Sequence, residues 1–431
     1  TTVSTVTAVR ATVCVRLPLV STLSFFDKLF GVLAIFLLLE LSRRVVGLAL
    51  TIITGVFLIY ALVGPLLPKL ISHRGFFLWD VVDYLNFGTD GIYGIPLGVS
   101  ATFIAMFIIF GSFFETSGAG NIIMKMGQAL VGRLRGGPAK VAVLTSALFG
   151  TVSGSAVANV YATGTFTIPM MKRLGYSSSF AGGVEACAST GGQIMPPIMG
   201  AAAFVMANLL GLPYIEVCIA AIVPAILYFF SLFLTVDFES AKTGLLGLSS
   251  EEIPVWKDIL KYIYLLVPIV ILVYMIIRGF TPFRAAFIAI LSIVALSFVR
   301  KETRFNIKKI LRALDAAGRR IITIAIACAT VGIIVGVTTL TGIGLNLSSA
   351  IVSLGEGSIF LPLILVMFSS IILGMGTPTV VAYIIAIILG GPALIQCGLA
   401  PLQAHMFVFY FAVFSMITPP VAIAAYAAAE I

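Results

Sequence analysis

Charge is what this sequence has least of. Of its 431 residues only 10% are Asp, Glu, Lys or Arg, against 60% hydrophobic residues, and the mean hydropathy is +1.16. A soluble globular domain carries about 25% charged residues. So few charges could not cover a water-facing surface, which excludes a soluble enzyme. The same arithmetic excludes disorder and collagen. Cysteines are few and scattered (Cys14, Cys187, Cys218, Cys328 and Cys397), with no CxxC pair, which excludes a disulfide scaffold. Four of them lie in apolar stretches and read as small buried hydrophobes. There is no GxxxxGK[ST] loop, so the chain lacks a phosphate cradle for ATP hydrolysis. Nor is there a His/Cys/Asp/Glu cluster at metal-ligand spacing, a nucleophile elbow, or the regular arginine ladder of a voltage sensor.

What is there is a series of long apolar runs between short polar links, the mark of a polytopic membrane protein. Spans are expected near residues 28–42, 45–66, 96–114, 178–210, 215–236, 258–277, 284–299, 321–340 and 405–429. Two further stretches, 139–170 and 359–395, carry Gly, Pro, Ser or Thr at their centres. They read as re-entrant hairpins, because irregular backbone at membrane depth is tolerated only where protein or a wet cavity covers it.

The formal net charge of +9 comes largely from one cluster, Arg300, Lys301, Arg304, Lys308, Lys309, Arg312, Arg319 and Arg320. Apolar segments flank it on both sides, so a cytoplasmic loop is the reading here and nucleic-acid binding is not. Placing Arg43 and Arg44 in the cytoplasm and threading the spans puts Arg133, Arg135, Lys140, Lys172, Arg173 and this cluster on the same side. It leaves Lys69, Arg74, Arg278 and Arg284 outside.

The chain repeats internally. Thr116-Ser117-Gly118 is echoed by Leu340-Thr341-Gly342, the run Gly150 to Ser155 by Gly374 to Thr379, and Met195-Pro196-Pro197 by Thr418-Pro419-Pro420. The offsets are 224, 224 and 223 residues. The threading runs 96–114 inward and its partner 321–340 outward, so the repeats are expected to be inverted. Paired broken helices in inverted repeats point to a secondary transporter with its site between the repeats.

The hairpin tips and the proline breaks are the candidate site. Gly150, Ser153, Ser155 and Asn159 offer close backbone approach and neutral oxygens suited to a hard cation such as sodium. Gly374, Gly376, Thr377 and Thr379 offer the same at the second tip. Proline in a helix frees carbonyls, so the breaks at Pro196, after Gly192 and Gln193, and at Pro419, after Thr418, are further cation candidates. Half-helix N-termini suit a carboxylate. Ser153, Ser155, Thr190, Thr377 and Thr379 are therefore the expected substrate contacts. Glu185, the sole charge between Leu174 and Ile215, is a candidate proton relay or a hydrogen-bonded structural carboxylate. His405 reads as an interfacial residue.

The runs Gly136-Gly-Pro-Ala-Lys-Val-Ala-Val143, Gly150-Thr-Val-Ser-Gly-Ser-Ala-Val-Ala-Asn159, Ile168-Pro-Met-Met171 and Gly191-Gly-Gln-Ile-Met-Pro-Pro-Ile-Met-Gly200 resemble the fused permease of tripartite ATP-independent periplasmic (TRAP) transporters. The TAXI-type branch is the most similar. The resemblance covers residues 28 to 431 and is most specific in the first repeat. It implies an all-α elevator-type transporter in a bacterial or archaeal cytoplasmic (inner) membrane. It further implies uptake of organic acids delivered by a TAXI-type periplasmic substrate-binding protein and driven by a sodium gradient. The first cation site would use the Gly150–Asn159 tip and the break at Pro196, and the second the Gly374–Thr379 tip and the break at Pro419. Substrate would lie between the tips.

Four units are expected: small-subunit-like helices and a periplasmic link (1–95), the first repeat (96–236), scaffold helices with the basic loop (237–320) and the second repeat (321–431). A monomer in lipid with no cofactor beyond the coupling ion, sodium or a proton, is anticipated. Two departures stand out. Only two apolar segments precede residue 96, where the fused family has about four. The chain also stops at Ile431, in or just after the last broken helix, so truncation is expected. Residues 1 to 26 read as a leader, an expression remnant or the tail of a missing part. The rivals are a partner-independent or proton-coupled carrier of the same architecture, a channel and, more distantly, a membrane enzyme.

Overall fold

Inside a bilayer every backbone N–H and C=O needs a partner from the chain itself, and a helix supplies one within each segment. The computed structural model describes residues 23–69, 71–354 and 358–431, together with Leu19; among these described residues there are helices and turns but no β-strand. Cys14 and nearly all of the segment read as a leader lie outside the described residues.

The first three helices among the described residues are α1 (Phe25–Val45), α2 (Leu48–Val63) and α3 (Leu78–Phe87). The first repeat follows as α4 (Ile95–Thr116), α5 (Ala119–Val131), α6 (Gly137–Ser153), α7 (Ala156–Leu174), α8 (Ser178–Gly191) and α9 (Ala201–Leu210). Linking helices are α10 (Tyr214–Thr243), α11 (Ile263–Ile277) and α12 (Pro282–Ser297). The second repeat runs α13 (Ile307–Thr341), α14 (Ile343–Leu354), α15 (Phe360–Gly374), α16 (Thr379–Gln396), α17 (Pro401–Phe414) and α18 (Ile423–Ala429).

Among the described residues, five helical stretches are long and apolar enough to cross a membrane. Their outer faces carry exposed apolar stripes, such as Leu48, Ile52, Val56 and Ile59 on α2 and Ile219, Val223, Ile226 and Phe230 on α10. Only lipid accommodates so much exposed hydrocarbon. By contrast α13 is buried on nearly every side from Ala327 to Thr338 and is the central post of the fold. The chain is a multi-pass membrane protein.

Both expected stretches form helical hairpins. Arms α6 and α7 pack side by side, as do α15 and α16. The first turn is tighter than the expected Gly150–Asn159 tip. Gly154 ends α6 at φ +62°, a left-handed conformation that glycine tolerates best, and the Ser155 hydroxyl caps α7 by accepting from Ala158 N at 3.4 Å. Gly376 at φ +77° turns the second hairpin. The stretches 178–210 and 405–429 are each two helices, α8 and α9 or α17 and α18, parted by a turn and a Pro-Pro pair.

The repeats match down to the backbone. Gly118 and Gly342 both take positive φ after a long helix, at +84° and +71°. The peptides Pro196–Pro197 and Pro419–Pro420 are both cis, and Met199 and Ala422 three residues on both take positive φ. The repeats also interlock: α9 packs on α16 and α17 of the second, and α18 packs on α7 and α8 of the first.

The basic segment differs from expectation. Asn306 caps α13, accepting from Lys309 N at 2.8 Å, so Lys308 to Arg320 are helical rather than loop. No Gly or Pro interrupts the run until Gly318, and a single Gly costs a helix only about 1 kcal/mol. Span 258–277 begins later, at Ile263, behind a turn.

Candidate functional site

The site grows from two close backbone approaches. A Cβ on Gly150 would lie 2.4 Å from the Gly192 Cα, so the last turn of α6 rests directly on the turn that breaks α8 from α9. At the equivalent place a Cβ on Gly374 would lie 2.4 Å from the Ser415 Oγ. Each hairpin is thereby seated on the broken helix of its own repeat, and glycine is what permits the seat.

Polar side chains hold the first seat. Asn159 is fully buried and its Nδ2 donates to the Ser146 carbonyl at 2.8 Å. Glu185, also fully buried, meets the hydroxyls of Ser146 at 2.8 Å and Ser189 at 2.9 Å, and those of Thr163 and Thr167. The carboxylate thus joins α6, α7 and α8. A buried carboxylate without such partners would be costly, and these hydroxyls answer its acceptor capacity. The second repeat uses a different pair at this level: the Tyr383 hydroxyl lies 2.7 Å from His405 Nδ1. His405 is therefore buried, not interfacial, because α17 begins at Pro401 and already lies inside the protein at its second turn.

Two cavities meet at the first tip. The larger, about 260 Å³, is lined by Gly154, Ser155, Gln193, Gly376, Thr379 and Thr323 among others. The second, about 210 Å³, is lined by Ser153, Ser155, Ala158, Thr323 and Arg320, and shares Ser155, Thr323 and Ile324 with the first. The N-terminal residues of α7 (Ala156, Val157) and α16 (Thr379, Val380) all reach the larger cavity. Each such end carries roughly half a positive charge. Among the described residues that line the larger cavity, none is ionisable. Gln193 is 3% exposed, and its Nε2 has no hydrogen-bond partner among the described residues. A buried donor left so costs about 1–3 kcal/mol. Two helix N-termini, the Gln193 side chain and three hydroxyl residues (Ser155, Thr323 and Thr379) therefore line one uncharged chamber, an arrangement that suits an anion.

The expected site residues divide accordingly. Ser155, Gln193, Gly376 and Thr379 line the larger cavity and Ser153 the smaller. Gly150, Gly192 and Gly374 form the seats. Thr377 Oγ1 donates to the Gly374 carbonyl at 3.2 Å and Thr418 Oγ1 to the Phe414 carbonyl at 2.8 Å, so both hydroxyls are engaged within their turns. Thr190 is buried behind Gly192, and its Oγ1 lacks a partner among the described residues. Pro196 and Pro419 mark the breaks. Two lining residues, Thr323 and Arg320, escaped the sequence reading as site groups, as did the partner of Arg320, Glu115. The guanidinium binds Glu115 through Nη2–Oε2 at 2.8 Å and Nη1–Oε1 at 3.1 Å. Arg320 had been counted only as a topology charge.

Comparison with known proteins bears on this arrangement. Residues 33–431 match the family described as tripartite ATP-independent periplasmic transporter, DctM component. The C4-dicarboxylate TRAP transporter large permease protein DctM of Pseudomonas aeruginosa is 27% identical over 321 residues, 74% of each chain. The putative TRAP transporter large permease protein of Haemophilus influenzae is 25% identical over 331 residues, again 74% of each. The sialic acid TRAP transporter large permease protein SiaM of Vibrio cholerae is 26% identical over 216 residues, 49% of each. Among solved structures, the Alcanivorax borkumensis YdaH transporter shares the fold at a TM-score of 0.51 and 17% identity, covering 94% of this chain and 91% of that one.

Proposed function

Since this chain belongs to the DctM-component family of tripartite ATP-independent periplasmic transporters, we propose that it imports a carboxylate handed over by a periplasmic binding protein and driven by a sodium gradient. The family is one of transport permeases rather than enzymes, works with a soluble binding protein, moves organic acids and resides in the inner membrane. The carboxylate, sodium, the TAXI type of partner, the fused organisation and the elevator motion are our reading beyond that. The observation that carries it is the larger cavity, which Gln193 lines together with the N-terminal residues of α7 and α16. Such a chamber holds a carboxylate without a fixed counter-charge, and so releases it readily.

In this reading sodium is held at the two seats, by carbonyls and hydroxyls of the Gly150–Asn159 tip with the break at Pro196, and of the Gly374–Thr379 tip with the break at Pro419. The hairpins and the broken helices move together against α1, α2, α4 and α13. Glu185 carries the alternative, proton coupling, because it is a buried carboxylate beside the first seat. Substitution tests the cavity: Gln193→Ala and Ser155→Ala should each raise the half-saturating substrate concentration about three- to tenfold with little change in maximal rate. Unchanged half-saturation in both variants would remove substrate from this cavity.

A further inference from the structure

Arg320 is the one charged side chain among the described residues lining the two cavities at the first tip. It projects from α13 beside Ser153 and Ser155, and its side chain is 40% exposed. Its partner Glu115 stands on α4, the helix packed along α13. Glu115 also lines a third cavity of about 250 Å³ on the other side, with Asn121, Thr145 and Thr163. The guanidinium has five donors in a planar fork and Glu115 engages two of them, which leaves donors directed to a second anion. The smaller cavity adjoins the larger one, sharing Ser155, Thr323 and Ile324 with it, and Arg320 lines the smaller.

We propose that Arg320 is a substrate-contact residue whose guanidinium exchanges Glu115 for the carboxylate of the acid as the acid passes between the two cavities. Glu115 is then a competing partner that keeps Arg320 placed when no acid is there and limits how tightly the acid is held. The proposal rests on the reading that the acid occupies the larger cavity. It assigns what the uncharged chamber lacks, a fixed positive charge on the route. It also separates Arg320 from a merely structural ion pair, because the two partners should act in opposite directions. Bidentate arginine–carboxylate bonds are among the stronger polar contacts, so the loss should be easily read.

The test is binding by the purified full chain in lipid nanodiscs at saturating sodium, with radiolabelled pyruvate, succinate, isethionate and sialic acid as probes. The acid that wild type binds most tightly is carried forward. Arg320→Gln should raise its Kd about tenfold, Arg320→Lys should fall between, and Glu115→Gln should leave Kd within twofold or lower it. Equal weakening by Glu115→Gln and Arg320→Gln would make the pair structural and overturn the proposal, as would wild-type affinity in Arg320→Gln. Should Arg320→Gln fail to yield folded protein, Arg320→Lys against Glu115→Gln decides the same question. Gln193→Ala is the control: weakening there with wild-type affinity in Arg320→Gln sinks this inference alone, whereas no weakening in either, or no acid bound by wild type, sinks the cavity reading with it.

Discussion

Gly192 is the residue on which the first seat turns. A Cβ there would lie 2.6 Å from the Gly150 Cα, a distance real side chains do not adopt, and that neighbour is backbone that cannot rotate away. Gly192→Ala should therefore displace the α6 tip from the break and reduce transport at least tenfold while the protein still reaches the membrane. Gly183→Ala, where nothing lies within 4 Å of the added carbon, should transport normally. Equal activity in the two variants would show that the seat is not needed. At this scale the sequence was partly legible. Gly150, Gly192 and Ser155 stand out in the sequence as small residues in an apolar run, and the structure puts the glycines in a close backbone contact and Ser155 at a helix cap. The engagement of Asn159 and Thr377 inside the chain was not readable, since it depends on partners such as Ser146 on the facing arm. Nor was the pairing of Arg320 with Glu115, 205 residues away.

Elements show a different balance. Hairpins and breaks were legible because Gly and Pro interrupt helices for stated reasons, and because the interruptions recur at one offset. Helices α3, α5 and α14 were not expected. They are short, too short to read as spans. The start of α13 at Ile307 was missed because a dense run of positive charge was taken for loop, although Lys and Arg are good helix formers. Motion of elements is where the elevator reading is open to test. The tip of hairpin two rests on α2, with a Cβ on Gly376 falling 3.3 Å from the Ala49 Cβ, near disulfide range. Gly376 is at φ +77°, so a cysteine there costs about 1–2 kcal/mol. In the double variant Ala49→Cys/Gly376→Cys, oxidation should stop transport and reduction restore it. Undiminished transport with the cross-link formed would rule out sliding of the hairpin past α2.

Across the whole molecule the repeats are two copies of one plan that meet tip to tip, and the interlock of α9 and α18 ties each copy to the other. In the proposed reading the two seats and the chamber between them move as one body, and ion and acid occupy adjoining places, which is how that reading couples them. The hydrophobic pattern disclosed the spans and the repeat, whereas the interlock was hidden, because which half-helix packs on which hairpin is decided by close packing of small residues rather than by hydropathy. The direct measurement is uptake of the radiolabelled acid by proteoliposomes, with the periplasmic binding protein present or absent, under a sodium gradient, a proton gradient or none. Uptake should occur only with the binding protein and only under the sodium gradient; uptake without the partner, or driven equally well by protons alone, would contradict a sodium-driven tripartite permease.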